Sequence, residues 1–137
     1  MNTDFWNIIH DGGIDAISGS IPGDIILTVG IEYLCEQLPT NSKTLQAKLV
    51  GCTIFSYTPF WKTSITELHA IAACDLEVLS AVTREDRIAV CCRDGMLELA
   101  YQAIEVCLVE GIAVTQSELE AAANRSVAQC HERNAKK

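Results

Sequence analysis

Positive charge is scarce in this chain and unevenly placed, with no lysine or arginine before Lys43. Ten basic residues stand against 18 acidic ones, a net charge of −8 with pI ≈ 4.7. That balance argues against nucleic-acid binding, which needs a surface that neutralises phosphates. No apolar run reaches the ~18 residues of a membrane span. Three prolines and eight glycines rule out collagen-like and proline-rich polymers. Cys-x-x-Cys, Gly-x-x-x-x-Gly-Lys, His-x-x-His and His-x-x-x-His are all missing, so the sequence assigns no metal, no phosphate loop and no cofactor. There is no internal repeat and no low-complexity tract.

What remains has the composition of a globular domain: 137 residues, 49 % apolar and 20 % charged. Residues 1–137 are read as a single domain. The seven cysteines, Cys35, Cys52, Cys74, Cys91, Cys92, Cys107 and Cys130, are odd in number and cannot all pair within one chain. Most stand in apolar stretches such as residues 88–92 and 104–108, where a reduced thiol packs as a small hydrophobe. This fits a reducing compartment. Residues 1–6 lack the basic region and apolar core of a signal peptide, and the expectation is a cytoplasmic protein.

Strand signals dominate. Residues 14–21 and 24–31 read as a hairpin around Ile21-Pro22-Gly23-Asp24, whose Pro-Gly centre predicts a type II turn. In the second run Ile25, Leu27, Val29 and Ile31 alternate with Ile26, Thr28 and Gly30, giving one wholly apolar face. Residues 32–38 suit a helical turn or an extension of that strand. Residues 44–60 read as one long strand, bent or bulged at Gly51 and stopped by Pro59. Runs 76–83, 87–92 and 96–109 follow, linked by Arg84-Glu85-Asp86 and by the hairpin signal Asp94-Gly95. The apolar phase of the last run shifts at Gln102-Ala103, which predicts a bulge.

Two capping boxes predict helices. Ser64-Ile65-Thr66-Glu67 opens a short one over 65–73, and Thr115-Gln116-Ser117-Glu118 a longer one over about 116–132. The longer helix carries a stripe of Leu119, Ala122, Ala123, Ser126, Val127 and Cys130, with Arg125, Arg133, Lys136 and Lys137 toward its end. The expected class is α+β, mainly β: an antiparallel meander of about six strands curled into a sandwich or partial barrel, with the short helix and the C-terminal helix packed on it. The competing layout is a flat sheet with both helices on one face.

Catalytic constellations are hard to find. His10-Asp11 has the makings of an oriented base and Cys52 or Cys107 of a nucleophile, yet nothing in the sequence brings them together. His10 and His69 are read as structural, and His131 falls in the helix tail. Phe5, Trp6, Phe55, Tyr57, Phe60 and Trp61 are read as core and rim packing, since the three lysines nearby make no positive groove. No catalytic residue is assigned, and the chain is not expected to be an enzyme. The informative feature is charge. Residues 1–42 carry six acids and no base, and residues 63–124 carry eleven acids against three arginines. Asp11, Asp15, Asp24, Glu85 and Asp86 sit at expected strand ends and turns, where side chains reach a partner without disturbing the core. They are the candidate contacts for a basic protein partner.

The pieces Phe5-Trp6, His10-Asp11-Gly12-Gly13-Ile14, Pro22-Gly23-Asp24, Gly51-Cys52-Thr53-Ile54-Phe55 and Thr115-Gln116-Ser117-Glu118-Leu119 resemble a group of small bacterial proteins of unassigned function. Some of these are thought to be immunity proteins of polymorphic toxin systems. The resemblance implies a β-rich, non-enzymatic chain that binds a cognate toxin and blocks its active site, and it carries over no individual residue. The alternative is a structural or adaptor module of a bacterial assembly. A small enzyme with a site invisible in the sequence is the third reading.

Overall fold

A computed structural model of the chain describes residues 2–135, the last five of them as helical backbone only. In chain order the elements are α1 (Asp4–Ile8), β1 (Gly13–Gly19), β2 (Gly23–Gly30), α2 (Glu32–Cys35), β3 (Thr44–Cys52), β4 (Ile54–Pro59), α3 (Leu68–Ala72), β5 (Leu76–Arg84), β6 (Arg87–Cys92), β7 (Gly95–Ala100), β8 (Ala103–Leu108), β9 (Ala113–Val114) and α4 (Gln116–Ala135). All strand pairs are antiparallel, in one open sheet of order β4-β7-β6-β5-β1-β2-β3-β8-β9. The mainly β class is as expected, but the described residues form nine strands where the apolar pattern suggests about six.

The difference arises at one corner. Residues 44–60 and 96–109 each read as a single strand, and each breaks in two. Gly51 takes φ +63°, and a Cβ there would meet the Gln102 side chain at 2.9 Å. The Gly51 N–H donates to Asp24 Oδ1 at 3.0 Å. After the single residue Thr53 the chain re-enters as β4 at the far edge of the sheet, paired with β7. Its partner turns at the same place, where the Thr53 N–H donates to the Ala100 carbonyl and the Gln102 N–H to the Val50 carbonyl, both at 2.8 Å. The anticipated bulge at Gln102 is therefore a full break between β7 and β8. The apolar phase shift is the trace it leaves in sequence.

The β1–β2 hairpin forms with one apolar face, and Ile25, Leu27, Val29 and Ile31 are all buried. Its turn is not type II. The Ile21–Pro22 peptide is cis and Gly23 sits at φ +152°, far from the φ near +80° that a type II turn requires. Pairing closes earlier, at Gly19↔Ile25, and Gly23 already pairs with Cys52 of β3. Residues 32–35 are helical. The short middle helix starts later than its capping box suggests. Ile65 exchanges both backbone hydrogen bonds with Tyr57, at 2.9 and 2.7 Å, so it cannot begin a helix. Glu67 is the N-cap instead, its carboxylate accepting from the N–H groups of His69 and Ala70, while Ser64 Oγ bonds Thr58 Oγ1 at 2.7 Å.

The buried side chains form one cluster. Each long strand contributes one face, and Phe5 and Trp6 of α1, Leu34, Ile71, Leu119 and Ala122 are added from the helices. Trp6 is fully buried, and its indole N–H donates to the Tyr101 hydroxyl at 2.9 Å. The capping box of α4 forms as expected: the Glu118 N–H donates to Thr115 Oγ1 at 3.1 Å and the Thr115 N–H to Glu118 Oε1 at 3.3 Å. The stripe of α4 is buried only in its first half. Leu119 is 1 % exposed but Val127 is 55 % exposed, and Cys130 is exposed as well. Arg125 donates to the Gln37 carbonyl at 2.6 Å. Of the other helix-tail residues, Lys136 and Lys137 lie outside the described residues, and His131 and Arg133 are described as backbone only.

Leu119→Ala should therefore destabilise by about 2–5 kcal/mol, whereas Val127→Ala should stay within about 0.5 kcal/mol of wild type. Urea titrations of the two variants check this, and equal effects would show that the helix docks along its whole stripe.

Three of the seven cysteines behave as the small hydrophobes expected. Cys35, Cys52 and Cys92 are buried; Cys74, Cys91 and Cys107 are half-buried, and for Cys91 the cause is alternation on the strand, which turns it outward where Cys92 points in. Burial pushes the Cys35 thiol up to about 11 and the Cys92 thiol up to about 12, and it also raises that of Cys52. The folded state thus keeps protons that the unfolded chain releases near pH 9. Stability should be unaffected by these thiols below pH 9 and should fall as pH rises from 9 toward 11. Native alkylation at pH 8 should spare Cys35, Cys52 and Cys92, since the thiolate is the reactive form. Rapid native modification of Cys92, read by peptide mass spectrometry, would contradict its burial.

Candidate functional site

One row across the sheet brings a set of exposed charges and aromatics near one another, and the register shows why. Pro59 pairs with Gly95, Gly95 with Cys92, Cys92 with Val78, and, one residue along, Glu77 pairs with Gly13. These positions form a row across β4, β7, β6, β5 and β1, roughly 19 Å long at about 4.8 Å per strand. The loops leaving this row carry Phe60 to Lys62, Arg93-Asp94, Asp75 and Asp11.

At the β1–β5 end of the row is a depression of about 330 Å³ bordered by the carboxylates of Asp11, Asp15, Asp75 and Glu77 and by Arg93. Backbone geometry fixes the cluster. The Asp11 N–H donates to the Val78 carbonyl at 2.7 Å, and the Val78 N–H donates to the Gly12 carbonyl at 2.8 Å. Asp11 and Asp75 adopt φ +65° and +52°, a region that aspartate tolerates better than most residues. Asp15 occupies the irregularity between the Ile14 and Ala16 pairings. At Gly30 a Cβ would lie 2.7 Å from the Asp15 carboxylate, so a larger residue there would push that side chain aside. Arg93 lies 3.6 Å from Glu77 and is the one cation lining the depression among the described residues.

Of the five acids singled out from sequence, the structure brings together Asp11 and Asp15. Asp24 lies at the far end of the β1–β2 hairpin, 3.6 Å from the Lys48 ammonium and bonded to the Gly51 N–H. Its carboxylate holds the corner of the sheet. Glu85 and Asp86 form the tip of the β5–β6 hairpin, which points the other way because β5 runs antiparallel to β1. There Arg87 bonds Asp86 at 3.1 Å and Glu98 at 2.7 Å, and its guanidinium holds the Asp86 carboxyl below the usual range. The candidates are thus split over three places. Asp75 and Glu77, which complete the depression, are missed by sequence reasoning because only the two-residue β1–β5 pairing brings them beside Asp11.

At the β4 end of the row the loop over Phe60, Trp61 and Lys62 projects. Phe55 and Tyr57 are buried as expected, but Phe60 is 50 % exposed and Trp61 is 101 % exposed, which corrects the packing role read for them from sequence. The loop is pinned on both sides. The Tyr57–Ile65 bonds and the Thr58–Ser64 hydroxyl contact close its base, the Phe60 N–H donates to the Asp94 carbonyl at 3.0 Å, and the Lys62 N–H donates to the Pro59 carbonyl at 3.1 Å. Trp61 itself adopts φ +66°.

A second cleft, of about 340 Å³, separates α4 from α2 and the end of α1, and is bordered by His10, Asp11, Tyr33, Val127 and Cys130. Tyr33 donates to the His10 carbonyl at 2.6 Å, and burial raises its hydroxyl to about 12. The His10 ring nitrogen Nδ1 lies 3.3 Å from the Asn7 carbonyl, so the ring is held by the end of α1 and not oriented by Asp11. Cys52 bonds the Ile54 carbonyl and Cys107 approaches Gln46, which places neither as a partner for His10. His69 is exposed on α3. Among the described residues no three His, Cys, Asp or Glu side chains group as metal ligands, and no helix is long and apolar enough to cross a membrane.

Compared with protein-family models, with curated proteins and with solved structures, the chain matches none.

The two tryptophans differ as far as exposure allows, which gives a direct check. Acrylamide should quench one component of the emission and leave the other, and Trp61→Asn should remove the quenchable component alone. A single homogeneous quenching curve for the wild type would show that Trp61 is shielded.

Proposed function

We propose that the chain is a non-enzymatic protein-binding domain that receives a basic protein on the acidic end of its sheet. The observation that carries this reading is the depression at the β1–β5 junction, lined by four acidic residues and one arginine, of which Glu77 lies 3.6 Å from the arginine. Such a surface makes the local potential more negative and speeds encounter with a positively charged partner. Asp11 and Asp15 belong to it directly. Asp24, Glu85 and Asp86 contribute only at long range, since each is engaged elsewhere or lies on another tip. The sheet is taken as a partial barrel. Support for this comes from the single residue Thr53, which joins β3 to the opposite edge strand β4. In its narrower form the proposal makes the partner a toxin that is neutralised in the cytoplasm, which the resemblance in sequence supports.

The test is kinetic. Once a partner is isolated from the source cells, its association rate should fall by ~10-fold or more between 0.01 M and 0.15 M salt, as the Debye length shrinks from ~30 to ~8 Å. Asp11→Asn, Asp15→Asn and Asp75→Asn should each slow association, and Glu85→Gln should do so less than any of them. A rate that ignores salt and all three aspartates would end the acidic-surface reading.

A further inference from the structure

We propose that the Phe60-Trp61-Lys62 loop is the hydrophobic anchor of the same docking surface, Trp61 entering an apolar pocket on a basic protein whose positive rim lies over the acidic depression. This rests on the protein-binding reading above and adds to it the residue that holds the partner once charge has steered it in.

Trp61 has no role in the fold that would account for its placement. Its side chain is fully exposed, and its backbone occupies the left-handed region at φ +66°, where a bulky residue is rare. A tryptophan serving only as a linker would lie back on the sheet, as Trp6 and Tyr57 lie in the core. Instead the loop is held out by hydrogen bonds at its base and at Phe60. A Cβ on Gly95, directly across from Pro59, would meet the Thr58 carbonyl at 2.5 Å and the Tyr57 ring at 2.7 Å. The loop root is therefore fitted closely against the next hairpin, and hydrogen bonds tie the backbone that presents Trp61. A tryptophan has only two side-chain torsions to immobilise on binding, and buried tryptophans dominate interface energetics.

Charge selects the kind of partner. The loop adjoins Arg93-Asp94 through the Phe60 to Asp94 hydrogen bond, and the Arg93 N–H donates to the Glu77 carbonyl at 3.0 Å. The aromatic loop and the acidic depression are thus the two ends of one continuous row. An apolar anchor with an acidic flank suits a partner with an apolar pocket and a basic rim. Lys62 is the one charge within residues 59–64, and together with Arg93 it does not reverse the sign of a surface bearing Asp11, Asp15, Asp75, Glu77 and Asp94. The same charges weigh against insertion into a membrane, since anionic headgroups would meet a chain of net charge −8 with a lone lysine at the tip.

The experiment places a photo-reactive side chain at the anchor, Trp61→p-benzoylphenylalanine, in extract of the source cells, and then measures binding of the captured protein after purification. The expected result is an adduct with a protein of basic isoelectric point. That protein should bind Trp61→Asn at least about 30-fold more weakly than wild type, and acrylamide should lose access to Trp61 in the wild-type complex. Asparagine suits the left-handed backbone, so the thermal midpoint of the variant should match wild type and the loss cannot be laid to unfolding. The proposal is overturned if no adduct forms, if the captured protein binds Trp61→Asn within about twofold of wild type, or if wild type sediments with mixed phosphatidylcholine and phosphatidylglycerol vesicles and Trp61→Asn does not. The two readings fail separately. Slower association in Asp11→Asn and Asp15→Asn with full affinity in Trp61→Asn overturns the anchor alone, and loss in Trp61→Asn with no salt or aspartate effect overturns the basic partner.

Discussion

At the corner after Gly51 a strand of the central sheet leaves its neighbours and, one residue later, becomes the opposite edge. The turn needs a left-handed residue, which glycine supplies at φ +63°, and a Cβ there would have to displace the Gln102 side chain. It also needs an acceptor for the Gly51 N–H, which Asp24 supplies from the start of β2. The paired strand turns in step through Tyr101 and Gln102, so the ladder β3·β8 hands over to β4·β7 with the crossing hydrogen bonds kept. Across the corner the register continues from Val50↔Ala103 to Ile54↔Ala100, so β4 stays on β7, which pairs in turn with β6. The row that unites the aromatic loop with the acidic depression runs along the order β4-β7-β6-β5-β1.

The second constraint is the brevity of the β1–β5 contact. Only Gly13↔Glu77 and Ile14↔Leu76 pair, after which β5 and β1 run in opposite directions. Ile14 and Leu76 are buried there, while the residues that diverge from the junction are Asp11, Asp15 and Asp75. A longer ladder would have set opposed pairs on the two strands and left less room between them. The short one opens a depression at the point where the strands part, with side chains fixed by a core beneath and turned toward water. Like charges so placed repel one another weakly at exposed sites, and a partner of opposite sign relieves that repulsion.

Much of this was readable in the residues, and the parts that were not have a common cause. The β1–β2 face, the β5–β6 and β6–β7 hairpins and the α4 cap all come from local patterns: alternation, Asp94-Gly95, Thr115 with Glu118. The strand count failed where a long-range event interrupts a local pattern. Gly51 announces a bend but not its angle, and the phase shift at Gln102 looks the same for a bulge as for a break. Ser64 satisfied the capping rule and was still claimed by a strand, since Tyr57 takes the backbone groups of Ile65. The same limit governs the site. Asp11 and Asp15 were legible as exposed turn acids, but their neighbours Asp75 and Glu77 lie sixty residues away in sequence and meet them only through the sheet.

Trp61 illustrates the point from the other side. By composition an aromatic residue next to Phe60 belongs inside, where a tryptophan buries roughly 150–250 Å², about 4–6 kcal/mol at ~25 cal/mol per Å². The chain forgoes that gain and accepts a left-handed backbone, on the order of 1–2 kcal/mol for a residue with a side chain. Two features make the exposed position tenable. The core is already closed without Trp61, since Phe55, Tyr57 and Trp6 fill it, and the loop is too tightly tied at Thr58, Phe60 and Ser64 to fold back. Rigidity at the root and exposure at the tip are therefore one property. The contacts that stop Trp61 from reaching the core are those that hold it in place for a surface outside it.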